Sequence, residues 1–174
     1  MEDKFIIRDA VKEDIQDLAA LHVKAWNETY NNTSPDPSVA TRKWQWEEIF
    51  SKQDGSWFCL VIETTNKALI GFAKGQVYHH ADLPDFNGEL NKIYILKAYQ
   101  QSGLGKMLLA KVFDRFKTMG IESVVLFGDA NNPSGGFHEK MGAKKLYTAS
   151  GEFHGGYGWI NLSELPDALL IIKK

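Results

Sequence analysis

One stretch of the sequence combines glycines, a lysine and a helix start in the way that a phosphate-binding site requires. Gly103 and Gly105 lie in the segment QQSGLGK, between a strand-like run that ends at Leu96 and an amphipathic run that begins at Gly105. Glycine lets the backbone approach a ligand closely and adopt dihedral angles that other residues avoid. The free N–H groups and positive dipole end of the helix then favour an anion, and Lys106 adds a charge. The segment therefore indicates a site for phosphate groups.

The spacing of these glycines excludes two other phosphate-binding motifs. The Walker A loop needs a glycine five residues before Gly105, where the sequence has Gln100, and Ser or Thr after Lys106. Met107 stands there instead. The dinucleotide fingerprint needs a third glycine where Leu108 stands. A Gly-x-Gly before a helix is a weak signal by itself, because many strand-to-helix turns use glycine only for its geometry.

The segment does match the pattern Gln-x-x-Gly-x-Gly. It resembles the Arg/Gln-x-x-Gly-x-Gly/Ala signature of the GNAT acyltransferases, with Gln100, Gly103 and Gly105 in the fixed positions. The stretch ANNPSGGFHEKMGAKKL resembles a second region of that family, Asn…Phe-Tyr-Glu-Lys-x-Gly-Phe, at the usual separation. The matching residues of this second region are Asn131, Phe137, Glu139, Lys140 and Gly142. The early LHVKAWNETY resembles the substrate-side helix of small members, so the resemblance spans nearly the whole chain.

The resemblance implies an α/β (α+β) fold, with a mixed central sheet of about seven strands splayed in a V and about four flanking helices. It implies one domain over residues 1–174 that takes acetyl-CoA as co-substrate and holds no metal. Backbone amides of residues 101–106 would hold the pyrophosphate, and the pantetheine arm would pair with residues 93–95 as an added strand. The implied cofactor-binding residues are Ile93, Tyr94, Ile95, Gln100, Gln101, Ser102, Gly103, Leu104, Gly105, Lys106, Asn131 and His138.

The same resemblance implies direct transfer of the acetyl group to a primary amine in a ternary complex. The amine must lose a proton to attack, and the departing thiolate benefits from gaining one. Glu89, at the start of the motif strand, is the predicted base, direct or through water, with a solvated strand-end carboxylate as the equal alternative. His138 stands where the family has its tyrosine, and is either the leaving-group acid or only a helix residue near the cofactor. Substitutes for that acid, each more simply a packing residue, are Tyr94, Tyr99 and Tyr147.

Aromatic residues near loops are the candidates to line an acceptor pocket, because aromatic residues at helical spacing more often pack in the core. The candidates are Trp26, Tyr30, Phe86 and Tyr157. The acceptor would be a small-molecule or peptide amine, and the fold does not select one. The missing tyrosine leaves open two alternatives, a non-catalytic acyl-CoA-binding module and a protein-interaction module on the same fold.

Strand and helix patterns alternate along the chain and would position these residues. The predicted strands are residues 5–8, 57–63, 68–78, 89–96, 123–127, 144–149 and 157–162. Helices are predicted from Ile15, after an N-cap at Asp36 with Pro37 in the first position, over residues 105–119, and after Ser134. The last residues, LLIIKK, are either a closing strand or a docked tail. Gly135 and Gly136 either leave room for the ligand or loosen the helix start.

Composition narrows the classes of function. The chain has 174 residues, of which 44% are hydrophobic and 24% charged, as in soluble globular proteins. A net charge of −2 argues against a nucleic-acid partner. Cys59, the one cysteine, excludes an intrachain disulfide and a cysteine-based metal cluster, and its strand context predicts a buried hydrophobic role.

The remaining features favour a cytoplasmic protein without a metal or a membrane partner. The start, MEDKFIIRDA, is unlike a secretory leader, and the longest apolar runs are too short to span a bilayer. His79 and His80 with Asp82 could suggest metal ligands, but adjacent histidines in a polar loop are more often solvated. A homodimer is compatible with the sequence but is not indicated by it.

Overall fold

The computed structural model describes residues 4–30, 37–130 and 132–165. The strands are β1 (Phe5–Asp9), β2 (Trp57–Thr64), β3 (Leu69–Val77), β4 (Gly88–Ile95), β5 (Val124–Phe127), β6 (Lys144–Tyr147) and β7 (Phe153–Trp159). The helices are α1 (Ile15–Tyr30), α2 (Val39–Phe50), α3 (Leu104–Thr118) and α4 (Gly135–Lys140). Single 3₁₀ turns occupy Lys12–Asp14, Lys97–Tyr99 and Leu162–Glu164.

The seven strands form one mixed sheet in the order β1-β2-β3-β4-β5-β7-β6. The pair β4–β5 is parallel, and all other neighbours are antiparallel. The parallel pair needs a crossover, and α3 supplies it between the two strands. The expected mixed α+β sheet with four helices is therefore confirmed.

Helices cover both faces of the sheet. Phe72 of β3 packs edge-on against Trp46 of α2, with ring centres 5.6 Å apart. On the other face, Phe58 of β2 meets Phe116 of α3 at 5.1 Å. These rings are almost fully buried, so each face of the central strands has its own apolar layer.

The start of α2 differs from the expectation. The helix begins at Val39, and Ser38 is its N-cap, with its hydroxyl accepting a hydrogen bond from the Thr41 N–H at 3.2 Å. Pro37 therefore precedes the cap instead of opening the helix. The predicted cap, Asp36, lies outside the described residues, as does the LLIIKK tail. The α1 prediction is confirmed, with Leu18 and Ala19 fully buried.

The last strand begins four residues earlier than its pattern predicted, at Phe153 instead of Tyr157, and ends at Trp159. Glycines hid it, because glycine is depleted in strands. Two glycines of this strand, Gly155 and Gly158, leave room for a neighbouring group. The ring of Phe86 comes within 2.6 Å of where a Cβ at Gly158 would stand, and a Cβ at Gly155 would overlap the Gly128 carbonyl oxygen.

Candidate functional site

The site begins where β4 and β5 part. The two strands pair at Gly88 with Val124 and at Glu89 with Val125, and then diverge. Beyond Glu89, one edge of β4 still pairs with β3, while the other faces a cavity of about 410 Å³. The backbone groups on that edge are open to an extended ligand, as in β-strand addition. The strand order thus places a cleft at the predicted gap in the sheet.

A β-bulge shapes β4 beside this cleft. Lys74 pairs with Lys92 and Gly75 with Leu90, so Asn91 is an extra residue in β4. Bulges bend a strand and strengthen its twist, and they are common next to active sites. Here the bulge lies two residues after the last β4–β5 pair, where the strands separate.

The glycine-rich loop lies at the C-terminal end of β4, past one 3₁₀ turn. Gln101 and Gly103 both have positive φ angles, of 58° and 86°. Gly103 is the N-cap of α3, and among the described residues no side chain caps this helix end. Such alternating backbone makes a concave set of N–H groups that suits an anion. The first turn of α3 carries no acidic residue, so its dipole end remains attractive to phosphate.

Local hydrogen bonds hold the loop in this shape. The Gln100 side-chain amide donates to the Ile95 carbonyl oxygen at 2.8 Å, and the Ser102 hydroxyl donates to the Tyr99 carbonyl oxygen at 2.6 Å. A Cβ at Gly105 would lie 3.3 Å from the Phe137 ring, so α4 packs directly on this position. The Gln100 side chain therefore braces the loop against β4.

Several of the residues expected at the site do line the cavity. Ile93 and Tyr94 line it from β4, and His138 lines it from α4. Trp26 and Tyr30, predicted for the acceptor, line it from α1 with ring centres 4.5 Å apart. The complete lining is His22, Trp26, Tyr30, Arg42, Leu90, Asn91, Lys92, Ile93, Tyr94, Leu126, Phe127, Gly128, Asp129, Asn132, Ser134 and His138.

Other expected residues lie elsewhere. Phe86 is buried and borders a separate shallow hollow beside His79 and His80. Tyr157 is buried against α4, and its hydroxyl would lie 2.5 Å from a Cβ at Gly135, which explains the glycine there. The room left by this glycine is thus taken by the Tyr157 hydroxyl, a group of the protein itself. Asn131 lies outside the described residues.

Glu89 stands at the fork of the two strands but does not line the cavity. Its carboxylate accepts a hydrogen bond from the Gln76 side-chain amide at 2.7 Å and a longer one from Asn91 at 3.4 Å. The carboxylate is thus oriented by neighbours on β3 and β4.

His138 is 4% exposed, and no group among the described residues bonds to its Nδ1 atom. Burial lowers the pKa of His138 to about 4, because the charged ring would lose its hydration. The ring is therefore neutral near pH 7. A neutral imidazole offers one N–H donor and one acceptor nitrogen, and both suit a polar ligand better than an apolar wall.

The three tyrosines that could replace the leaving-group acid lie in different environments. Tyr94 lines the cavity, with its ring 5.8 Å from that of His22. Tyr99 packs edge-on against Phe5 at 6.1 Å, and Tyr147 is 61% exposed on β6. Of these three tyrosines, Tyr94 alone lines the cavity.

Three basic residues of the cavity lining were not predicted from the sequence. His22, Arg42 and Lys92 come from α1, α2 and β4, so no contiguous motif joins them. One signal was present in the sequence: Lys92 follows Asn91 within a predicted strand, and a lysine side chain there needs a polar surface.

Three further observations concern Cys59, metal ligands and membrane spans among the described residues. Cys59 is 3% exposed in β2, which confirms its structural role, and burial raises the pKa of its thiol. In residues 4–30, 37–130 and 132–165, no group of His, Cys, Asp and Glu side chains is arranged to hold a metal ion. Over the same residues, no helix combines the length and apolar character needed to cross a membrane.

Comparison with known proteins gives a consistent result. The chain is 28% identical over 170 residues to the uncharacterized N-acetyltransferase YuaI of Bacillus subtilis (strain 168), covering 94% of this chain and 97% of that relative. Among solved structures, PaiA N-acetyltransferase from Thermoplasma acidophilum in complex with coenzyme A superposes with a TM-score of 0.72 at 21% identity, over 90% of this chain and 98% of that one.

A second solved structure, yncA from Salmonella typhimurium with its cofactor acetyl-CoA, gives a TM-score of 0.66 at 20% identity, over 92% of this chain and 95% of that one. At these sequence identities, the structural similarity supports the fold alone. The sequence profile of the acetyltransferase (GNAT) family matches residues 15–143, which include both motifs and the strands that form the cleft. The chain belongs to the GNAT acetyltransferase family.

Proposed function

We propose that this protein transfers an acetyl group from acetyl-CoA to a primary amine in a ternary complex. The observation that carries the proposal is the open edge of β4. It faces the cavity on one side of the β4–β5 fork and leads directly to the glycine-rich loop. One extended ligand with a phosphate end and a reactive end fits this path.

The residues along the path fit coenzyme A. The amides around Gly103 and Gly105 would hold the pyrophosphate, with Lys106 beside them. Ile93 and Tyr94 would hold the pantetheine arm through their backbone, as an added strand. The unpartnered Nδ1 of His138 supports a polar ligand at the far end of the arm, because buried polar atoms normally have partners.

Acetyl-CoA supplies the acetyl group as an activated thioester. In the transfer, the new N–C bond of the amide replaces the C–S bond, the amine loses one proton and the thiolate gains one. Backbone N–H groups on the bent part of β4 would stabilise the negative charge that develops on the carbonyl oxygen. The walls from α1 and α4 would exclude water from the thioester.

Glu89 would accept the amine proton through water, since its carboxylate is oriented by Gln76 beside the fork. Neutral His138 can donate a hydrogen bond to the departing sulfur but is not charged near pH 7. Tyr94 is the second candidate for the acid that protonates the leaving group, because its hydroxyl-bearing side chain lines the same cavity from β4.

Calorimetric titration of the protein with acetyl-CoA and with coenzyme A tests the cofactor site, and thiol release in the presence of a mixed set of primary amines tests transfer. The single cysteine is buried, so the protein itself adds little thiol signal. Micromolar binding with amine-dependent thiol release is expected. Binding without turnover would support an acyl-CoA-binding module, and absence of binding would overturn the assignment of the loop.

A further inference from the structure

Two lysines face each other inside the sheet. Lys74 of β3 and Lys92 of β4 occupy directly opposite positions, so their side chains share the face covered by α1 and α2. Lys74 is 5% exposed, and Lys92 lines the cavity. Like charges directly opposite each other in a sheet are destabilising, and lysine is rarely buried unless it is paired. The arrangement therefore needs an explanation.

Among the described residues, no carboxylate forms an ion pair with either lysine, although the charge of Glu89 raises the pKa of both. Lys92 Nζ donates to the Asn91 side-chain oxygen at 3.1 Å, and Lys74 Nζ donates to the Gln76 side-chain oxygen. Within residues 4–30, 37–130 and 132–165, neither ammonium group is in an ion pair. The nearby Glu89 accepts its 2.7 Å hydrogen bond from Gln76 instead. Burial lowers the pKa of both lysines more than Glu89 raises it, so the described residues balance their charge only in part.

Further basic groups converge on the same end of the cavity. Arg42 lines it from α2, with its guanidinium 5.7 Å from the centre of the Trp26 ring. His22 lines it from α1, is 3% exposed, and has a buried Nδ1 atom without a partner. Burial first, and then the charges of Arg42 and Lys92, lower the pKa of His22 to about 3. The charges of Arg42 and Lys92 therefore both act on the His22 ring.

We propose that the acceptor amine carries a carboxylate, and that Lys92 binds this carboxylate in the basic corner formed by His22, Arg42 and Lys92. The inference rests on the proposed function, because it assigns the acceptor of that same site. The indicated class is a free amino acid with an apolar side chain. Trp26 and Tyr94 provide flat apolar surface beside the corner, and a cavity of about 410 Å³ shared with the pantetheine arm leaves room for a small acceptor only.

The charges also argue against polyamines and lysine side chains. A second ammonium group would be placed beside Lys92 and Arg42, and like charges in a partly buried site repel strongly. One carboxylate, Asp129, lines the cavity, but it follows β5 and so lies across the cleft from β4. The carboxylate of Asp129 and the ammonium group of Lys92 therefore belong to different walls of the cavity.

The first test compares matched acceptors in the thiol-release assay. Leucine, methionine and phenylalanine are each compared with two analogues. One is the corresponding amide, and the other is the amine that lacks the carboxyl group. The amide has a less basic amine than the amino acid and the decarboxylated compound a more basic one, so amine basicity alone would not place both below the amino acid. A kcat/KM at least tenfold higher for the amino acid than for both analogues is expected in at least one set. Equal or reversed values in all sets would overturn the inference.

The second test changes the lysine. Lys92→Met keeps the length and apolar stem of the side chain but removes its charge, and should lower the preference for the carboxylate about ten- to hundredfold, as for a lost hydrogen bond to a charged group. Lys24→Met is the matched control, since Lys24 lies on α1 with its side chain exposed and outside the cavity lining. A preference retained in Lys92→Met would remove this residue from the carboxylate site.

A binding measurement separates this inference from the proposed function. Calorimetry with N-acetylphenylalanine and with N-acetylphenethylamine, in the presence of coenzyme A, reports carboxylate recognition without any turnover. Tighter binding of the carboxylate compound together with no thiol release would keep the inference and overturn the transfer reaction. Transfer to amines with no carboxylate preference in rate or binding would keep the reaction and overturn the inference, and failure of both would overturn both.

Discussion

The two ends of the cleft are built in opposite ways. The proposed phosphate end is one contiguous loop, residues 100–106, in which the backbone would present the binding groups and the side chains mainly brace the loop. The basic corner is assembled from side chains on α1, α2 and β4, which lie far apart in the sequence. A site made of backbone imposes glycine at fixed spacing, whereas a site made of side chains from several elements imposes no local pattern.

The difference extends to electrostatics. At the loop, the attraction for an anion would come mainly from helix and peptide dipoles, which do not titrate, with Lys106 adding a charge. At the corner it comes from ionisable groups, whose charge depends on burial and on one another. Burial, followed by the charge of Lys92, lowers the pKa of Lys74 to about 8, so its charge weakens as the pH rises above neutrality. The phosphate end should thus be insensitive to pH and the corner sensitive.

The most severe expected change breaks the phosphate end alone. Gly105→Glu places a carboxylate among the loop amides, where it repels phosphate, and should weaken coenzyme A binding by more than about 3 kcal/mol, at least a hundredfold. Gly105→Ala is the control. Both substitutions bring a Cβ to 3.3 Å from the Phe137 ring, so their difference reports the rest of the glutamate side chain, its bulk and its charge. Calorimetry measures both affinities, and equal affinities in the two variants would contradict the placement of the pyrophosphate.

The next effect concerns His138, one of the two buried histidines that line the cavity. The pKa of His138 is lowered from 6.5 to about 4 by burial, so the unfolded chain binds a proton in this range and the folded protein does not. Stability should therefore fall as the pH drops from about 6.5 to about 4, by about 3 kcal/mol for this residue. Above pH 6.5 the contribution is constant, because the ring is neutral in both states.

His138→Phe should remove this part of the acid sensitivity, and urea unfolding at a series of pH values measures it. His154→Phe is the matched control, because the side chain of His154 is 68% exposed. An identical acid-side loss of stability in His138→Phe and in the unmodified protein would mean that the ring becomes protonated within the fold. His138 would then be accessible to water and could again be considered as an acid for the leaving group.

The sequence predicted the parts of the molecule that are encoded locally. The position of α3, the loop before it and the closure at Gly120 follow from hydrophobic period and glycine placement, and the structure confirms them. The start of α2 was misplaced because Asp36 and Ser38 are both good N-caps, and the difference of two residues depends on which hydroxyl or carboxylate meets the helix amides. Local chemistry alone does not decide between them.

The acceptor side was predicted only in part, for a different reason. Trp26 and Tyr30 line the cavity, whereas Phe86 and Tyr157 fill spaces left by glycines on distant segments. An aromatic side chain beside a loop looks the same in sequence whether it faces a ligand or a glycine. Lys92 was overlooked because its unusual environment is its position directly opposite Lys74. That pairing is visible only from the strand register.

The smallest expected effect concerns the contact between β7 and Gly128, a residue of the cavity lining that follows β5. Gly155 and Gly151 both have positive φ angles, of 93° and 85°. A Cβ at Gly151 meets nothing within 4 Å, while a Cβ at Gly155 would overlap the carbonyl oxygen of Gly128, a residue that lines the cavity. Alanine at either position suffers the same backbone strain, of about 1 kcal/mol, because φ is unfavourable for any residue with a Cβ.

Gly155→Ala should therefore lower the free energy of unfolding by about 2 kcal/mol more than Gly151→Ala does, the usual cost of forcing an atom into filled space. The displaced Gly128 should also weaken amine-dependent turnover in Gly155→Ala while leaving coenzyme A affinity unchanged, because the loop at residues 100–106 does not depend on this contact. Urea unfolding and calorimetry measure the two quantities. Equal stabilities would mean that the turn after β5 moves aside freely, and a loss of coenzyme A affinity would mean that the two ends of the cleft are coupled.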